Sequence, residues 1–127
     1  MNDVVPFSEH ITQAEADELD RLLTAISDEA SGFEALGRSL GAAAAGEDAE
    51  ERGRSAFRRR IGEIRAALCA NAAIKGYCSN PTVSDSTSIA VAIAGGLTAA
   101  HFSGLNVFLV AALVTRIGLR EVCRTAA

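Results

Sequence analysis

Residues 89–115 read IAVAIAGGLTAAHFSGLNVFLVAALVT, a run of 27 positions without Asp, Glu, Lys or Arg in a chain of 127. A helix that is apolar all round has to be enclosed, whether by the rest of the chain, by a partner or by a bilayer. Small residues recur here at every fourth place: Ala92, Gly96, Ala100 and Gly104. One small side chain per turn of a helix face lets a second backbone come close. These four residues are the expected contact face, with His101 and Asn106 as polar groups that set its register. Ser103-Gly104 is the natural break in the run. It predicts one helix over 83–102 and another over 105–124, together an apolar helical hairpin within 82–124.

Working outward, the N-terminal part has the periodicity of amphipathic helices. Thr12-Gln13-Ala14-Glu15 reads as a capping box, in which the Thr hydroxyl and the Glu carboxylate each accept an otherwise orphaned backbone N–H. Behind it Leu19, Leu22, Leu23, Ile26, Ala30 and Phe33 form one apolar stripe, with Gly32 expected to interrupt or end the helix. Phe33, Leu36 and Leu40 continue as a short amphipathic piece. A further helix is expected from Glu47, its first turn acidic as the helix dipole favours, its stripe Phe57, Ile61, Ile64 and Leu68, and its end at Lys75-Gly76. Cys78-Ser79-Asn80-Pro81 reads as a turn, and Thr82-Val83-Ser84-Asp85 as a second capping box. The expected fold is therefore all-α. It is a single domain over 1–127, a bundle of four to five helices with charged amphipathic helices over 1–76 packed around the apolar hairpin.

The net charge of −4 hides a strong asymmetry. Residues 1–51 hold 13 of the 16 acids and two basic residues, a net −11, while 52–127 hold ten basic residues and three acids, a net +7. The simplest reading is mutual attraction between packed helices. Arg52, Arg54, Arg58, Arg59, Arg60 and Arg65 spread around a helix surface rather than forming one stripe, and Phe57, the aromatic among them, belongs to the core. Nucleic acid is therefore not expected as a partner. Arg116, Arg120 and Arg124 do share a face at four-residue spacing. They suit the negative end of a helix dipole, and they could also meet an acidic protein surface or lipid headgroups.

Three cysteines, Cys69, Cys78 and Cys123, form no CxxC pair, and the N-terminus lacks the basic-then-apolar design of a signal peptide. The expectation is a reduced cytoplasmic protein whose cysteines are small buried hydrophobes, with membrane association as the alternative. His101 and the cysteines lack metal-ligand spacing, and no catalytic or cofactor motif occurs. No metal, cofactor or catalytic residue is expected. The sequence reads as a non-enzymatic interaction or assembly module that self-associates or docks a protein partner through its apolar C-terminal helices. One alternative is an effector whose segment 89–115 enters a membrane. Another is an accessory subunit of an enzyme complex.

Overall fold

The computed structural model describes residues 11–40, 48–70, 74 and 86–124, without the side chains of 86, 87, 120 and 124. Among these residues the protein is all-helical. Its helices are α1 (Gln13–Ala25), α2 (Glu29–Ser39), α3 (Ala49–Leu68), α4 (Ser86–Ala99), α5 (Val107–Ile117) and α6 (Leu119–Arg124). The Thr12 capping box is present: the Thr12 hydroxyl accepts from the Glu15 N–H and the Glu15 carboxylate from the Thr12 N–H. The expected break at Gly32 is misplaced. The chain leaves helix at Ile26, and Asp28 starts α2 by accepting hydrogen bonds from the Ser31 hydroxyl and N–H, which hold its carboxyl below the usual aspartate range. Gly32 lies inside α2, buried against Leu113.

Helix α3 begins at an Asp48 cap, with Glu50 and Glu51 in its first turn, close to the expected start. It ends at Leu68 with Cys69 as its cap rather than running on to Gly76, and Lys75, Gly76 and the 82–85 capping box lie outside the described residues. The apolar run does break around Ser103-Gly104. A second break follows at Gly118, whose φ of +108° ends α5 and separates α6. That conformation costs glycine nothing.

Helix α5 packs against α1, α2, α4 and α6, and α4 packs against α1 and α3. Val110–Val114 are fully buried, as are Ala90, Ile93, Ala94 and Leu97 of α4. Each buried Leu, Ile or Val stabilises by about 1.5–3 kcal/mol relative to exposure. Leu19 and Leu23 of α1, Phe33 and Leu36 of α2, and Phe57, Ile64 and Leu68 of α3 close the same core. The Phe33 and Phe57 rings meet edge to face, 5.7 Å apart. The middle of each hairpin helix is thus enclosed by the chain itself, while Val91, Phe102, Leu105, Val107 and Phe108 stay half-buried.

Two features allow this. Helix α4 is narrow, its buried positions being largely Ala and Gly. The α2–α3 pair also crosses through reciprocal glycines. A Cβ on Gly37 would fall on the Ala49 carbonyl, 3.1 Å from the Gly53 nitrogen, and one on Gly53 would fall on the Phe33 carbonyl, 3.0 Å from the Gly37 nitrogen. Close backbone approach through small residues occurs in this protein between α2 and α3.

Candidate docking groove

The four small residues of the apolar run do not form one face. Ala92 and Gly96 are buried within the chain's own core, whereas Ala100 and Gly104 are exposed beyond the end of α4. The helix stops because Phe102 N–H bonds to the Leu97 carbonyl and His101 N–H to the Thr98 carbonyl, a Schellman cap. His101 takes its left-handed position with φ +60°, exposed. Asn106 caps α5, its side-chain oxygen accepting from the N–H groups of Phe108 and Leu109. Both polar residues therefore end or begin helices of their own chain. The loop between them is held by Arg60 of α3, which donates to the Ser103 carbonyl at 2.5 Å, lies 4.7 Å from the Phe102 ring centre, pairs with Glu63 and covers Gly104.

Arg116, expected on an outward basic face, turns inward. Its guanidinium donates to the carbonyls of Ile26 (2.7 Å) and Leu23 (2.5 Å), the orphaned carbonyls at the end of α1. The side chains of Arg120 and Arg124 lie outside the described residues.

Helix α3 distributes its arginines unevenly. Arg52 donates to the Leu40 carbonyl, and Arg60 holds the loop after α4. Arg54, Arg58 and Arg65 instead line one open groove of about 250 Å³ between α3 and the C-terminal helices. Its floor is apolar: Phe33, Phe57 and Ile61 on one side, Ile117 and Val122 on the other. Arg54 lies 4.5 Å from the Phe33 ring centre and pairs with Glu50 at 2.8 Å. Arg65 donates to the Val122 carbonyl at 3.1 Å. Arg58 is exposed and makes no ion pair among the described residues. Among the described residues, Glu121 is the one carboxylate lining the groove. The spacing Arg54, Arg58, Ile61, Arg65 is i, i+4, i+7, i+11, a single helix stripe. This corrects the expectation that the arginines of this helix form no stripe: three of the six, with Ile61, share one line, while Arg52, Arg59 and Arg60 lie outside the groove lining.

The wall formed by α6 is fixed covalently. Cys69, the cap of α3, is disulfide-bonded to Cys123 of α6 with Cα atoms 5.4 Å apart. This corrects the expectation of cysteines serving as reduced hydrophobes; Cys78 lies outside the described residues. A second, more polar hollow beside the α4 cap, lined by Arg60, Glu63, His101 and Phe102, opens elsewhere on α3. Among the described residues no group of three or more His, Cys, Asp or Glu could hold a metal, and no helix is long and apolar enough to cross a membrane.

Comparison with known proteins returns nothing: no family model matches the chain, and no curated protein or solved structure is similar to it. The site defines only a broad class, a small helical protein with a basic-rimmed apolar groove.

Proposed function

We propose that this chain is a non-enzymatic helical interaction module that docks a protein partner. The observation that carries the reading is the groove between α3 and the C-terminal helices, an apolar floor under an arginine rim. Arginine, with the large aromatic residues, is enriched among the side chains that contribute most to protein–protein binding. The C-terminal helices contribute Ile117, Glu121 and Val122 to it. Ala92 and Gly96 are already packed inside the core, so a contact through the small-residue run would require the chain to open. The groove offers guanidinium groups and carbon surface, with neither a nucleophile nor an acid–base pair in its lining. The Cys69–Cys123 disulfide favours a compartment where disulfides persist over the reducing cytoplasm.

The test is a photo-crosslinking residue in place of Glu121, exposed in the groove, in the cells that produce the chain. The expected result is an adduct with one identified protein that re-forms from purified components and is missing when the crosslinker sits at Thr24 on α1. No adduct, or the same adducts from both positions, overturns the reading.

A further inference from the structure

Resting on that reading, we infer that the groove takes an acidic amphipathic helix of the partner, laid along α3 with its apolar edge on the groove floor. Charge complementarity selects the sign. Three arginines and a single glutamate line the groove, and Arg58 is an exposed cation with no ion pair among the described residues. The spacing selects the shape. From Arg54 to Arg65 the stripe runs 11 residues, about 16 Å at helical rise. A single phosphate or lipid headgroup meets one or two of these guanidinium groups. Carboxylates repeated at helical pitch on a partner helix meet Arg58 and run past Arg54, which already pairs with Glu50, and Arg65, while Ile61, inside the same stripe, receives an apolar side chain.

The rim is also set in advance. Arg54 is held over Phe33 and Arg65 against the Val122 carbonyl, so little side-chain freedom is lost there on binding. A second copy of this chain is a poorer occupant. Its acids Asp17, Glu18 and Asp20 are exposed on α1, but the apolar residues of that helix, Leu19 and Leu23, are buried in its own core. A folded copy offers the charge without the apolar edge.

The experiment is fluorescence anisotropy of a labelled helix-forming peptide with glutamates along one edge and leucines along the adjoining edge, titrated with the full oxidised chain. The comparison peptides are a scramble of the same composition and a version with lysine in place of glutamate. The patterned peptide is expected to bind, with affinity falling as salt rises, while the scramble and the lysine version bind far more weakly. Arg58→Glu is expected to weaken binding on the order of tenfold by reversing a rim charge. Arg59→Glu, also exposed but outside the groove lining, weakens it far less, by the long-range charge effect alone, and circular dichroism of both variants checks that they fold. Equal binding of the scramble, or full affinity in Arg58→Glu, overturns the inference. So does binding to phosphatidylglycerol vesicles without peptide binding, which assigns the groove to lipid. An Arg58-dependent dimer in light scattering without peptide binding overturns it in favour of a second copy. The crosslinking result from Glu121 stands apart from all of these, so the groove's partner class can fail while the docking reading survives.

Discussion

Replacing Gly53 by alanine is the sharpest test of how the bundle is held together. In an ordinary exposed helix interior the change stabilises by about 0.5–1 kcal/mol, because alanine loses less backbone entropy on folding. At Gly53 the new methyl would lie on the Phe33 carbonyl oxygen and 2.8 Å from its carbon. Both atoms are backbone inside α2, so no side-chain rotation relieves the clash and the two helices must separate by an ångström or more. Overpacking of this kind costs about 1–3 kcal/mol even where side chains can adjust, and separation also loosens the Phe33–Phe57 contact beside it. Against the helix gain, the expected net loss is on the order of 1–2 kcal/mol, a large share of a total stability of about 5–15 kcal/mol. Gly62 is the internal control, since it is exposed on the same helix and a methyl added there would meet nothing within 4 Å. Gly62→Ala should gain up to about 1 kcal/mol. Urea unfolding of the oxidised protein, followed by circular dichroism, measures both. A Gly53→Ala midpoint equal to or above that of the parent would refute the glycine crossing.

Three further expectations are checked by the same unfolding assay. Arg116→Met should cost about 1–3 kcal/mol, because the Leu23 and Ile26 carbonyls lose their donor; an unchanged midpoint would show that water serves α1 as well. His101→Gly should gain about 0.5–1 kcal/mol, the left-handed strain removed exceeding the added entropy of glycine, and a loss would place a stabilising contact on the His101 ring. Reducing Cys69–Cys123 opens a loop of 54 residues and should cost about 4 kcal/mol in the chain-entropy account; equal midpoints with and without reductant would mean the bond does not form in solution.

Much of the fold can be read from residues that act locally. The Thr12 cap, the acidic first turn after Asp48 and the break near Gly104 are short-range signals, and each falls where spacing places it. The misreadings have equally physical causes. Ile26 and Phe33 keep the same helical register across the α1–α2 break, so periodicity runs through it, although Asp28 and Ser31 carry the capping signal. Periodicity also counts the side chains that are present, and the Gly37–Gly53 crossing depends on ones that are absent. The disulfide joins residues 54 apart, a pairing that spacing does not determine. In the groove, the α3 stripe of Arg54, Arg58, Ile61 and Arg65 has helical spacing, but among six arginines within 14 positions it does not stand out from a general spread around the helix. Its other side, Ile117 at the end of α5 and Val122 of α6, comes against α3 only in the folded chain.

The central claim is that partner recognition lies on the arginine stripe of α3 rather than on the small residues of the apolar run. Amide chemical shifts of the full oxidised chain during titration with the glutamate–leucine peptide test it most directly. The account predicts shifts concentrated at Arg54–Arg65 and Ile117–Cys123, with Ala92 and Gly96 unmoved. Shifts centred on Ala92–Gly104, or none at saturating peptide, would contradict it.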